Sequence, residues 1–387
     1  MKADTIVYEK KENVIRLAVL SNGNLLEFDT FDENAATEGN VYLGKITHKI
    51  ELANQKTAFK VNIGDGKDAF LSAYEPDLKE VNMSEGQSVV VQVLQEQHAE
   101  KGAKVVRNIQ IVGTTVVYRP FKGFVDISSK ITDKELIQSY RTAILSHRQG
   151  QEGWAVRTAA TDFDVDTILE EMVKLRSIYE NIRVNARNAT APALLYKKEN
   201  PVYEYIRRYK DSLTKIVLNN HNLESEINGF TDIQTEYSTN PFELYGLEDQ
   251  LTEALAQTIA LKSGGNLYIE QTKACVTIDV DSASVKEGSN PFELNNEAAH
   301  EIAHQIRLKN LSGKIIIDFA GLKDYEYMRP VMDILSSDLA DDPCRGRVLG
   351  LSKAGNIEIL RQRRRPSLLD LYTEECPTCQ GSGRVEK

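Results

Sequence analysis

Three aspartates close strand-like runs, and their positions suggest metal chemistry. In "TIDVD", Asp279 and Asp281 stand two residues apart, so they share one face of an extended strand. In "IIIDF", Asp318 closes a second apolar run. A carboxylate at the end of a buried strand is costly unless something pairs with it. Three that converge form a hard-oxygen site suited to magnesium; the alternative is that each simply opens a loop. A second metal signal is "CPTC", Cys376 and Cys379, followed by "QGSG", which has the pattern of half a zinc ribbon or knuckle. Tetrahedral zinc wants four ligands and this turn offers two. Cys275 lies within a strand-like run and is a poor third, so the missing thiolates come most simply from a second copy of the chain.

Two further motifs suggest other chemistry. "HEIAH", residues 300–304, fits the zinc-peptidase template of two histidines one helical turn apart with a glutamate as general base. A peptidase would need a third ligand, for which Asp324 or Glu326 is at a usable distance. Against it, Ala298, Ala299, Ile302, Ala303 and Ile306 form one apolar stripe. His300 and His304 fall on the opposite, polar face with Glu297 and Glu301, where an amphipathic helix keeps its charges. Asn296 is the expected N-cap. The run "RQRRRP", residues 361–366, is either a phosphate-binding patch or a solvated surface or linker.

The elements that must position these groups fall into three stretches. Residues 37–117 read as short alternating strands joined by Gly and Asn turns, the pattern of a small barrel. Residues 130–185 are mostly helical, with "GWAVRTAA" as an interruption. From about residue 200, helices and strands alternate as in an α/β layer structure. A chain of 387 residues has room for two or more domains. The alternating start "MKADTIVYEKKENVIRLAVL" reads as strands and not as a signal peptide, and no apolar run is long enough for a membrane span, which makes a cytoplasmic location the expectation. The net charge of −10 argues weakly against a nucleic-acid partner, because phosphate binding depends on local patches.

Four blocks, "SGGNLYIEQTKACVTIDVDSAS", "NNEAAHEIAHQIRLKNLSGKIIIDF", "LSKAGNIEILRQR" and "CPTCQGSG", together resemble the catalytic region of the ribonuclease E/G family. These are bacterial endoribonucleases that cut single-stranded RNA. "GNVYLGKI" and "AFLSAY" resemble that family's OB-fold insert, and "GWAVRTAA" its 5′-end pocket, so the likeness covers nearly the whole chain. "HEIAH" falls where the family carries an ordinary helix with the same stripe, which makes the zinc-peptidase match a coincidence of spelling.

The resemblance implies a multidomain α/β architecture with an inserted all-β OB-fold. Its expected parts are an RNase H-like domain (residues 1–36 and 197–252), the OB-fold (37–117), a 5′-sensing region (118–196), a DNase I-like catalytic domain (253–373) and a zinc link (374–387). It implies that Asp279 and Asp318 hold a catalytic Mg2+, that Asp281 stands where the family has an Asn orienting the reactants, and that Gly321 replaces a frequent further Asp. Arg157 and Thr158 match a pair that grips a 5′-monophosphate, and Arg345 another Arg at the RNA 5′ end. Phe59 and Phe70 match two base-stacking aromatics, and Lys101 a lysine that supports the RNA backbone. Cys376 and Cys379 match a Zn2+ link shared by two chains. Larger members continue with a small domain that pairs dimers, absent here, so a homodimer is expected. The implied reaction leaves 5′-phosphate and 3′-hydroxyl ends. The departures at Asp281 and Gly321 suggest a second reading, an RNA-binding protein of this architecture with impaired turnover.

Overall fold

The computed structural model describes residues 2–52, 57–74, 83–97, 101–282, 291–321, 324–340, 342–379, 381 and 383. The chain divides into two compact units, Met1–Phe31 with Glu204–Lys387, and Asp32–Tyr203. The first therefore contains both ends of the sequence, and the second is an insertion into it.

The first unit holds two sheets. One has five strands in the order Gln234–Tyr237, Lys215–Leu218, Thr5–Lys11, Val14–Ser21, Asn24–Asp32. The other has six, in the order Thr258–Ala260, Asn266–Gln271, Val276–Asp281, Gly313–Asp318, Ile357–Arg361, Arg347–Leu351. Val276–Asp281 and Gly313–Asp318 are parallel, so a crossover must join them, and the helix Pro291–Leu308 lies on that crossover. Its stripe Ala298, Ala299, Ile302, Ala303 and Ile306 packs into one core with Ile278, Val280, Ile315 and Ile317 of the strands and Met328, Val331 and Leu335 of the helix Tyr325–Asp338. Alternation therefore buries one face of this sheet and leaves the other open. The crossover helix starts at Pro291, ahead of the expected cap at Asn296, which lies inside it.

In the second unit the strands Val41–Glu51, Thr57–Asn62, Ala69–Ser72, Lys104–Val106 and Ser88–Gln95 pair in that order, and the last returns to the first. This is a closed five-stranded barrel, compatible with an OB-like fold. A four-stranded sheet follows, in the order Val125–Ile127, Gly153–Val156, Val116–Arg119, Ile111–Val112. The helix Lys134–His147 packs on it, capped by the Asp133 side chain, as does Val165–Asn188, capped by Asp164. Among the described residues no helix is long and apolar enough to cross a membrane.

Candidate RNA-cleaving and RNA-binding sites

Asp279 and Asp318 are in-register partners on the two parallel strands at the middle of the six-stranded sheet. Paired residues on neighbouring strands point to the same face, and the strands stand about 4.8 Å apart, so the two carboxylates lie side by side. The buried neighbours Ile278 and Ile317 fix which face. It is the open one, where Asp279 is exposed and Asp318 half-buried. Only one face of the sheet is covered, and the aspartates stand on the other. Tyr268 is the partner of Asp279 on the other side, and Asn266 that of Asp281, so a tyrosine and an amide extend the same polar face. Neither was singled out from sequence. Two carboxylates this close, with the remaining positions open to water or phosphate oxygens, are a donor set that suits Mg2+. Among the described residues no three His, Cys, Asp or Glu side chains gather as a complete metal cage.

The loop after Asp318 is held from the crossover helix. Asn295, fully buried, donates from Nδ2 to the Ala320 carbonyl at 2.8 Å and accepts from the Ala320 N–H at 3.2 Å. Gly321 follows with φ +85°, a backbone conformation that favours glycine.

On the barrel, alternation separates the two candidate stacking residues. Phe59 pairs with Leu71, both point inward, and Phe59 is 1% exposed. The barrel core claims its ring, which corrects the expectation of a base-stacking role. Lys60 and Phe70, the next pair, point outward. His48 is the partner of Lys60, and Lys104 that of Phe70, so His48, Lys60, Phe70 and Lys104 form one row across the outer surface. An aromatic face between cations is what stacked bases and a phosphate backbone require. His48, Lys49, Lys60, Lys67, Asp68 and Gly102 line an open groove beside it. Lys101 is exposed at the neighbouring strand entry, next to Gly102.

Arg157 and Thr158 follow the strand Gly153–Val156 in the second unit. The Arg157 guanidinium donates to the carbonyls of Gly113 and, at 3.4 Å, Thr114. Thr158 is exposed, its hydroxyl 2.8 Å from that of Ser128. Guanidinium and hydroxyls together can surround phosphate oxygens. A model of the ribonuclease E/G family matches residues 110–364, more than half of the chain and including both aspartates and this pair. The chain belongs to the ribonuclease E/G family. Ribonuclease G of Haemophilus influenzae is 29% identical over 419 aligned residues, covering 100% of this chain and 85% of that protein. Ribonuclease G of Escherichia coli strain K12 is 27% identical, covering 96% and 82%. Ribonuclease E of Synechocystis is 29% identical, covering 90% of this chain and 55% of that larger protein. As a member of the ribonuclease E/G family the chain is an endoribonuclease of RNA processing and decay.

The remaining motifs read differently against this ribonuclease E/G architecture. His304 donates from Nε2 to the Leu25 carbonyl at 3.0 Å, while His300 Nδ1 lies 2.6 Å from Asp338. The Nε2 that donates has no lone pair for a metal, so the pair does not form a zincin site. The polar face of this helix is also less solvated than its spelling suggests: His304 and Arg307 are half-buried against the strand Asn24–Asp32. Glu297 accepts from the N–H groups of Lys262 and Ser263 at 2.5 and 3.0 Å.

"RQRRRP" is mixed: Arg361 is buried, Gln362 and Arg363 are exposed, and three of its arginines are tied to partners. Arg361, 3% exposed, makes two 2.9 Å bonds to Asp342, Arg363 donates to Ser312, and Arg365 pairs with Asp29 and lies over the Phe31 ring. Burial opposes the charge on Asp342, but the Arg361 guanidinium and the N–H groups of Gly346 and Cys344 outweigh it and hold its carboxyl below the usual range. Those same bonds shape the turn that carries Arg345, which is exposed at φ +55°. A buried ion pair thus presents one exposed arginine.

Cys376 is exposed and Cys379 half-buried in the final turn. The N–H groups of Cys379 and Thr378 aim at the Cys376 sulfur and draw its thiol below the usual range. Backbone donors around a thiolate suit a zinc-knuckle half-site.

Proposed function

We propose that the protein cleaves single-stranded RNA endonucleolytically with Mg2+, leaves 5′-phosphate and 3′-hydroxyl ends, and favours RNA with a 5′-monophosphate. The observation that carries this reading is the in-register pair Asp279 and Asp318 on the open face of a rigid sheet. These two carboxylates would hold the metal, which when bound offsets charge on the scissile phosphodiester and activates water. Asp281, on the same face, orients reactants from the end of its strand. The row His48–Lys60–Phe70–Lys104, with Lys101 beside it, binds the RNA chain by stacking and charge and is indifferent to sequence. Arg157 and Thr158 hold the 5′-phosphate, and Arg345 contacts the 5′ end from its own unit.

The finer division of the chain belongs to the same proposal: an RNase H-like domain over 1–36 and 197–252, an OB-fold over 37–117, a 5′-sensing region over 118–196, a DNase I-like catalytic domain over 253–373, and a zinc link over 374–387. Cys376 and Cys379 of two chains would share one Zn2+, making a homodimer that works in the cytoplasm.

Magnesium titration of cleavage tests the reading. The rate on a single-stranded RNA should vanish with EDTA and return with Mg2+, and Asp279→Asn should raise the Mg2+ requirement more than about tenfold, the effect of losing one of two charged ligands. A rate indifferent to Mg2+ would contradict it.

A further inference from the structure

We infer that Glu171 is a positioning residue for the 5′-phosphate site, acting through the hairpin turn Gly113–Val116. The inference rests on the reading of Arg157 as a phosphate ligand and extends it to a residue that never touches the phosphate.

The turn has three peptide groups, and each is held at both ends. Its carbonyls, those of Gly113, Thr114 and Thr115, all face Arg157: the guanidinium takes the first two and the Arg157 backbone N–H takes the third at 2.8 Å. Its N–H groups, those of Thr114, Thr115 and Val116, all face Glu171, which accepts them at 2.6, 2.7 and 3.1 Å. The Thr115 hydroxyl adds a fourth bond to the same carboxylate at 2.6 Å. All three peptide dipoles therefore point their positive ends at the carboxylate, and two of them point their negative ends at the guanidinium, with charges of favourable sign at both poles.

A row of consecutive N–H groups of this kind is an anion nest. Here the chain fills the nest itself, with a side chain from the long helix Val165–Asn188. Gly113 is built for the approach: a Cβ there would stand 2.6 Å from the Glu171 carboxyl carbon. Two consequences follow. An incoming phosphate cannot take the nest as its seat and is directed to the Arg157 and Thr158 side. Arg157, the residue meant to meet it, is fixed in position by a turn that Glu171 makes rigid. Without the carboxylate the three N–H groups turn to water, the turn loosens, and the guanidinium loses its fixed geometry.

The test compares kcat/KM on two RNAs of one sequence, one with a 5′-monophosphate and one with a 5′-hydroxyl. The proteins are the full-length wild type, Glu171→Gln, Glu171→Asp and Arg157→Ala, with thermal melting of each. Glu171→Gln keeps shape and loses charge; Glu171→Asp keeps charge and retreats by one methylene. The wild type should favour the monophosphate. Both Glu171 variants should lower that preference by about tenfold, towards the Arg157→Ala value, through a higher KM for the monophosphorylated RNA. The inference is overturned if preference persists in both Glu171 variants while Arg157→Ala loses it, or if both RNAs slow in equal measure, the mark of a merely structural role. A wild type indifferent to the 5′ group would overturn the phosphate reading itself, and the inference with it.

Discussion

Phe59 and Phe70 are one strand apart and share a motif match, yet their side chains have opposite fates. Phe59→Ala should cost about 3–5 kcal/mol of stability, because it empties a fully packed barrel position. Phe70→Ala should leave the melting temperature nearly unchanged and weaken RNA binding by about 1–3 kcal/mol, the worth of one stacked base. Denaturant unfolding and RNA titration of the two variants separate these effects, and a binding loss confined to Phe59→Ala would reverse the assignment. The period of two in "KTAFKVN" and "DAFLSAY" contains this answer once the register is known, since Phe59 faces Leu71 and Lys60 faces Phe70. Sequence alone could not supply the register, so both rings were candidates. Asn295 was harder to find. Its role depends on meeting Ala320, 25 positions away, and nothing in its own surroundings announces that.

At the scale of elements, the parallel pair Val276–Asp281 and Gly313–Asp318 was legible because both strands are apolar runs ending in Asp. What the letters hid was that only one face is covered, which puts the aspartates on the uncovered side of the sheet. The basic run shows the reverse, a charged stretch that is tied down in part. Three of its arginines find partners in distant segments, at Asp342, Ser312 and Asp29. Arg361→Ala should therefore destabilise the protein by about 3–5 kcal/mol, because it leaves the Asp342 carboxylate buried without its counter-ion. It should also disorder the turn that presents Arg345. Calorimetry reads the first effect, and loss of less than about 1 kcal/mol would show that the pair is dispensable.

For the molecule as a whole, Glu27 ties the five-stranded sheet of the first unit to its helices. It is buried, which alone would raise its pKa, but Arg208 at 3.0 Å and the Arg307 guanidinium more than offset this and lower it. A carboxyl whose folded pKa lies below its unfolded one binds more protons when unfolded. Its stabilisation is complete above the ordinary glutamate pKa of about 4.3 and is lost as pH falls from there through the folded value. Denaturant unfolding of the wild type should accordingly weaken below that pH, and Glu27→Gln should flatten this limb while lowering stability at pH 7; an unchanged acid limb would assign it to other groups. The zinc link makes a prediction at the same scale: half a zinc per chain, with Cys376→Ser giving zinc-free monomers in sedimentation. One zinc per chain would instead require a site within a single copy. The division into two units, with residues 32–203 inserted into the first, lies close to the interrupted domain that the family resemblance implies over 1–36 and 197–252.

The central claim is that Asp279 and Asp318 together form the cutting centre. Its most direct test is cleavage of a short fluorescent single-stranded RNA bearing a 5′-monophosphate, with Mg2+, by the wild type and by Asp318→Ala, with RNA affinity measured for both. The wild type should cut, and the variant should bind with similar affinity and lose at least about two orders of magnitude in rate, as expected when a group stabilising transition-state charge is removed. Equal cutting by both proteins would contradict the assignment of the centre. Equal binding with no cutting by either would contradict turnover itself, and Asp281→Asn would be the next variant to measure.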